Sequence, residues 1–524
     1  MTTLSSKSIE WAIEHLVRHC DTDIFPKAFE FEAINYCRDE VTRSLSKQDI
    51  CQWQTRAFRR CLVPKQRYGF RLATQLDPLD MLFYLALCFE VGEQIEKSRF
   101  PAKVKLAFSY RFAPDSSDYL LFDRNIGYAD FQEHSGELAK KHSYVVLADI
   151  ADFYPRIYLH RLENALSVAV KSTPTHAKAI VQLIKGWNQN VSYGIPVGNN
   201  SSRLLAELVI DDVDRTLFAE NVTFTRFVDD YRIFCHSKQQ AYQCLARLAN
   251  ILYETHGLTL QSQKTKILPA ANFVNEVLET EERKEIESLA AGFDEIIDAL
   301  GLNNPYEMID YDLLSPDVKA QIDGLNLEGL LDKQMEADDI DISMTKFLIN
   351  RLGQLQRLAP LRKLIIETDK LYPVFPEVIR YLARLVDIIE PDRRVKIGKY
   401  LLDRLKSSVI SHLEFHRMQI MSLFAGSNKW GNADKLAGYY NVASDNWFRR
   451  TLLIAIGRSE QHYWLRAKKS EMDQMPIWER RAFIYAASCF PKDERENYYR
   501  AVSPRLDNLE RYVVAWAQKN PISS

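Results

Sequence analysis

A short apolar run, Val145–Leu147, leads into an aspartate at position 149, and eighty residues later two strand-like stretches flank the adjacent Asp229 and Asp230. No other feature constrains the chain as tightly. A carboxylate at the end of a buried strand costs several kcal/mol unless it is paired. Two neighbouring carboxylates also repel each other, which a divalent cation relieves. On adjacent strands, Asp149, Asp229 and Asp230 would form a three-carboxylate cluster able to hold two Mg2+ or Mn2+ ions about 4 Å apart, the arrangement suited to in-line phosphoryl transfer. Taken singly, each motif has an ordinary explanation: aspartates are common in turns, and Asp152 would cap a helix starting near Pro155. It is the coincidence of the two that points to chemistry.

Around these motifs the pattern divides the chain in three. From Ser8 to about Glu96, apolar residues recur at three- and four-residue spacing, which predicts helices. Lys103–Phe112 and Tyr144–Ile150 read as strands, and Thr223–Cys235 as a tight hairpin. An α/β domain over 1–270 follows. Residues 271–343 read as a linker or irregular helical connection, since Gly301–Asp341 is rich in Asp, Gly and Asn. Residues 344–524 read as successive amphipathic helices broken at Pro360, Pro376, Pro391, Gly426, Pro476 and Pro491. Within them Trp447, Arg449, Arg450 and Leu452 recur as Trp478, Arg480, Arg481 and Phe483, with a fainter copy at Phe415, Arg417 and Ile420. Such periodicity predicts an all-α, HEAT-like helical-repeat domain, unless aromatic-plus-arginine is merely a frequent helix start.

Composition excludes little. Apolar and charged fractions of 46% and 26% are those of a globular chain. Lys plus Arg (68) nearly balance Asp plus Glu (70), so a surface for nucleic acid must be local. The eight cysteines show no metal-site spacing and read as reduced thiols, and no run reaches the length of a membrane span. A cytoplasmic protein without membrane contact is expected.

Two further segments lie in order with the aspartates. "YGIPVGNNSSRLLAEL" carries Gly194, Pro196, Gly198 and Ser202 between them, and "GLTLQSQKTKIL" follows with Lys264. In these four motifs the chain resembles reverse transcriptases, which implies the fingers and palm of an α/β right-hand polymerase. The resemblance implies that Asp149, Asp229 and Asp230 hold the metals with the Ile150 carbonyl, and that Tyr154 is the steric gate admitting dNTPs. It also places Gly198 in the nucleotide-binding loop and Lys264 beside the triphosphate. Tyr154 could equally be a core aromatic, and Lys266 competes with Lys264. Lys103, Lys105 and Arg111 alternate with aromatic residues upstream, a pattern suited to phosphate contact and base stacking, or to a solvated strand face.

Val197 stands where reverse transcriptases usually carry Gln. With the Ser202–Arg203 pair and the long helical tail, this departure resembles the bacterial abortive-infection reverse transcriptases of the AbiK and AbiA kind, within the phage-defence group. That likeness implies antiviral defence, DNA synthesis that needs no template, priming from a protein hydroxyl with DNA left covalently attached, and homo-oligomers. Tyr36 is a candidate priming residue beside Tyr439 and Tyr440. Two alternatives remain open: a defence enzyme copying a dedicated noncoding RNA, and a helical-repeat binding scaffold with an inactive palm.

Overall fold

The computed structural model describes residues 1–20, 22–189, 191–301, 307–442 and 445–522. The chain forms two compact units, one of residues 1–60 and 73–280, the other of 61–72 and 281–524. Among the described residues, no helix is long and apolar enough to cross a membrane.

The first unit is built around the helix Pro78–Ser98. Leu82–Cys88 have no solvent exposure, because this helix is apolar on every side rather than along one stripe. Asp77 caps it by accepting from the Leu79 N–H, and Pro78 pre-sets its first turn. The helices Ser6–His19, Leu159–Ala169, Pro174–Trp187 and Asn200–Ala219 pack against it. Its one buried acid, Asp80, accepts from the indole N–H groups of Trp53 (2.9 Å) and Trp187 (2.8 Å).

Six strands are present among the described residues: β1 (Arg59–Gln66), β2 (Gly69–Gln75), β3 (Tyr144–Asp149), β4 (Thr223–Phe227), β5 (Asp230–Cys235) and β6 (Lys266–Pro269). The last four form an antiparallel sheet in the order β4-β5-β3-β6. Pairing of Val145 with Phe234 and Val146 with Ile233 buries the apolar centre of the sheet and sets the register.

Two local expectations fail. Lys103–Phe112 is not a strand: a 3-10 turn at Ala102–Val104 and left-handed backbone at Lys105 (φ 57°) and Tyr110 (φ 49°) break the extension. The β1–β2 hairpin interrupts the stretch expected to be helical. Its alternation of buried Cys61 and Val63 with exposed Leu62 spans too few residues to stand out from the flanking helical periodicity.

In the second unit the helices Ile342–Gln354, Phe375–Arg384, Glu414–Gly426, Asn446–Arg458, Ile477–Ala486 and Asn508–Lys519 each pack on the next. Trp447, Leu452, Trp478, Phe483, Phe415 and Ile420 are all buried, so the recurring residues form the seams of this stack. Arginines tie successive helices together: Arg417 donates to Asp445 (2.7 Å), which caps the next helix, and Arg480 donates to Glu510 (2.8 Å) in the first turn of the last. The expected linker is largely helical (Glu281–Ala299, Pro316–Gly324, Leu327–Glu336), and its residues 302–306 lie outside the described ones. Phe293, Ile296, Ile297, Leu331 and Met335 are buried, which draws the segment into the second unit and places the division at 280.

Gly457 sits where two stacked helices meet. A Cβ there would lie 2.7 Å from Ala486 Cα, a backbone atom that cannot step aside. Gly457→Val should therefore lower stability by about 1–3 kcal/mol, an overpacking cost. Thermal denaturation read by circular dichroism checks this, and an unchanged melting temperature would show that the stack is looser than described.

Candidate active site

β3 ends on Asp149 and β5 begins on Asp230, and the two are direct partners across the antiparallel ladder. Like charges opposed in this way destabilise a sheet. Asp229 occupies the turn between β4 and β5, where its carbonyl accepts from the Ile150 N–H (2.9 Å). The residue before it, Val228, is held at φ 57°, a left-handed conformation that is costly for a β-branched side chain. The hairpin thus brings all three sequence-derived aspartates to one end of the sheet's central strands.

Lys264 reaches this end as well. Gln261 N–H donates to the Asp149 carbonyl (2.7 Å) and Lys264 N–H to the Gln261 carbonyl (3.0 Å), which fixes the turn, and the Lys264 ammonium forms an ion pair with the Asp149 carboxylate. Its competitor Lys266 pairs with Leu147 at the start of β6 and is exposed. Burial pushes the Asp230 carboxyl up to about 6; Arg232 opposes the shift, while Asp149 and Asp229 add to it.

Divalent cations suit this donor set in chemistry. Three aspartates offer hard carboxylate oxygens at the end of β3 and in the β4–β5 turn, one carboxyl resists ionisation, and a lysine ammonium already serves as counter-ion to another. Asp149, Asp229 and Asp230, with the backbone at Ile150, are the residues that could hold them. Among the described residues, however, no three His, Cys, Asp or Glu side chains form a metal-ligating cluster, and Asp149 is engaged by Lys264 instead.

Tyr154 lies in the same neighbourhood. Its phenol is shut in by burial, with Tyr110, Glu207 and Asp229 raising its pKa further and Arg203 opposing them. Its carbonyl accepts from the Ile195 N–H (3.1 Å), which ties it to the Gly-Ile-Pro-Val-Gly loop. Gly198 has φ 119°, and a Cβ there would lie 2.9 Å from Thr22 Oγ1, so both its conformation and its space require glycine. Val197 accepts from the Thr74 N–H (3.1 Å) through its carbonyl.

The upstream cations are not brought to the carboxylates. Arg111 is buried and donates to Glu96 (2.9 Å), the Phe100 carbonyl (2.9 Å) and the Ala107 carbonyl (2.7 Å), so its guanidinium is occupied inside the protein and is not presented to a phosphate. Lys105 is exposed and lines a separate cavity of about 360 Å³ with Phe108, Asp130 and His134. Of the candidate priming tyrosines, Tyr36 is exposed at the end of the helix Glu30–Tyr36, whereas the Tyr439 hydroxyl donates to the Leu402 carbonyl (2.9 Å) and that of Tyr440 to Glu479 (3.3 Å).

Sequence reasoning missed the polar group behind the hairpin: Arg226, buried completely and bound by Glu207 and Asp214. A signal existed. Glu207, Asp211 and Asp214 recur at four- and three-residue spacing on one face of the helix Asn200–Ala219, among the buried Leu204 and Ile210.

The raised Asp230 pKa has a definite sign for stability. A carboxyl that is harder to ionise when folded favours the folded state most below about pH 4, and that contribution is lost as pH rises through about 6. Without divalent cations, chemical denaturation should show the parent chain losing stability between pH 4 and 6.5 relative to Asp230→Asn. Parallel pH profiles for the two would refute the burial of this carboxyl.

The family model described as reverse transcriptase (RNA-dependent DNA polymerase) matches residues 104–290. No curated protein matches the chain significantly. Among solved structures, it is similar to Candida albicans telomerase in complex with the TWJ fragment of telomeric RNA, at 12% identity, 74% of this chain, 69% of that one and a TM-score of 0.31. The corresponding Candida tropicalis complex gives 11%, 67%, 66% and 0.31, and apo telomerase from Candida tropicalis 10%, 87%, 74% and 0.31. The chain carries a reverse transcriptase domain and is a nucleotidyltransferase, a DNA polymerase of the reverse-transcriptase type.

Proposed function

We propose that this polymerase uses divalent cations, Mg2+ or Mn2+, held by Asp149, Asp229 and Asp230, to add dNTPs to DNA in antiphage defence. The observation that carries the metal-site reading is the direct opposition of Asp149 and Asp230 across β3 and β5, with Lys264 as counter-ion. A hydroxyl attacks the α-phosphorus of the dNTP, its proton is lost and pyrophosphate leaves. Cations, when bound, neutralise charge on the transferring phosphoryl group. Lys264, already in the site, gives its charge to the triphosphate. Tyr154 closes the pocket against a ribose 2′-hydroxyl.

The defence assignment rests on the likeness to abortive-infection enzymes at Val197, Ser202 and Arg203 and on the helical tail, read as HEAT-like repeats that bind product or assemble homo-oligomers. Protein priming accords with Val197 in place of Gln: with a weaker grip on a free primer-template, a hydroxyl of the chain itself starts at high effective concentration. Tyr36 is the proposed source, its ring being exposed. Synthesis is then untemplated, the DNA stays attached to protein, and the enzyme acts in the cytoplasm.

Incubating the purified chain with labelled dNTPs and Mg2+ tests the whole reading. The parent should yield DNA that partitions with protein, and mass spectrometry should find the nucleotide on a tyrosine peptide. Changing Asp229 and Asp230 together to Asn should reduce incorporation to background in a folded protein. Undiminished incorporation would refute the site, and peptide-free product, or a discrete copurifying RNA whose sequence the product copies, would refute protein-primed, untemplated synthesis. In the same assay Tyr154→Ala should raise ribonucleotide acceptance by about tenfold or more. Unchanged rejection of ribonucleotides would return Tyr154 to the core.

A further inference from the structure

We propose that Ser109, with Glu207 and Arg226 behind it, is a positioning residue that sets the affinity of the Asp229–Asp230 turn for divalent cations. This rests on the reading of those carboxylates as the metal site.

Both backbone groups of Val228 are held by side chains from outside the turn. Its N–H donates to Ser109 Oγ (2.8 Å), and its carbonyl accepts from Arg226 Nη1 (2.9 Å). A backbone N–H can only donate, so Ser109 Oγ is the acceptor there and must point its own proton elsewhere. It points it at Glu207 Oε1, 2.5 Å away. Glu207 is fixed in turn by Arg99 Nη2 (2.7 Å) and by Arg226 Nη1 (3.0 Å). Arg226 grips Asp214 through Nε (2.9 Å) and Nη2 (2.6 Å), and Tyr231, next to Asp230, donates its hydroxyl to Asp214 (2.9 Å). Ser109, Glu207, Asp214, Arg226 and Tyr231 have no solvent exposure.

The anchored residue is the strained one. Val228 at φ 57° gains by relaxing toward extended backbone, and its two hydrogen bonds oppose that. Relaxation would rotate the peptide between Val228 and Asp229 and disturb the bond from Ile150 N–H to the Asp229 carbonyl, which links the turn to the end of β3. The carboxylate of Asp229, proposed above as a metal ligand, would move with it. The hydrogen bonds of this network to the turn go to the Val228 backbone, so its effect on chemistry passes through the geometry of the turn. Outer groups that orient metal ligands typically control affinity by 10- to 100-fold.

The test on the full chain is Mg2+ binding by titration calorimetry without nucleotide, alongside dNTP incorporation across a Mg2+ titration. Ser109→Ala should raise the half-saturating Mg2+ concentration about tenfold, with kcat at saturating Mg2+ within about twofold of the parent. Ser109→Thr, which keeps the hydroxyl, should restore the parent value. A purely structural role would lower kcat through loss of active protein and leave the Mg2+ midpoint in place, and that result overturns the proposal. Should Ser109→Ala fail to accumulate folded, Ser109→Cys, a weaker acceptor of similar shape, reads the same shift. Asp230→Asn runs alongside. If it retains activity, the metal-site reading fails and the inference with it; if it is inactive while Ser109→Ala titrates like the parent, only the inference fails.

Discussion

One guanidinium holds the four-stranded sheet against its supporting helix. Arg226, in β4, has no solvent exposure and lies between Glu207 and Asp214, two turns apart on the helix Asn200–Ala219. Desolvating three charges is expensive, and a purely apolar contact of the same volume would serve stability as well or better. What the ionic contact adds is direction. A planar fork bound on two edges fixes where β4 ends and how the chain turns into β5, which apolar packing leaves adjustable.

That direction matters because the turn delivers charge where a sheet would not choose to have it. Asp149 and Asp230 face one another across neighbouring strands, and Asp230 is buried enough to resist ionisation. The ion pair of Lys264 with Asp149 offsets part of the repulsion. An end of a sheet that keeps three aspartates and a single lysine is under standing electrostatic strain, which bound cations would relieve. Stability is given up at the site proposed for the chemistry, and the buried network behind it supplies the rigidity that lets the strain persist.

The second unit follows a plainer logic. Its aromatic and arginine residues recur because each helix must bury one face on the next and satisfy the first turn of its neighbour. Gly457 marks a point where backbones approach too closely for any side chain. Neither requirement involves catalysis, so this half of the chain could diverge in its exposed residues while keeping its stack.

Much of the site was legible in the sequence because local pattern and local chemistry coincide there. The apolar strand ending on Asp149, the hairpin around Asp229 and Asp230, the glycines of the Gly-Ile-Pro-Val-Gly loop and the position of Lys264 depend on neighbours within a few residues. The recurrence of Trp447 at Trp478 marks stacked helices for the same reason. The β1–β2 hairpin was hidden because its alternation is short and polar. Arg111 looked like a phosphate ligand because sequence shows a cation beside aromatics, whereas only tertiary structure decides whether that cation meets solvent or, as here, Glu96 and three backbone oxygen contacts. The sequence by itself determined which carboxylates could meet and on which strands. Tertiary structure alone decided what lies behind them, since Ser109, Glu207 and Arg226 are distant in the chain, and whether a buried polar side chain is a cost or a support depends on partners that folding brings to it.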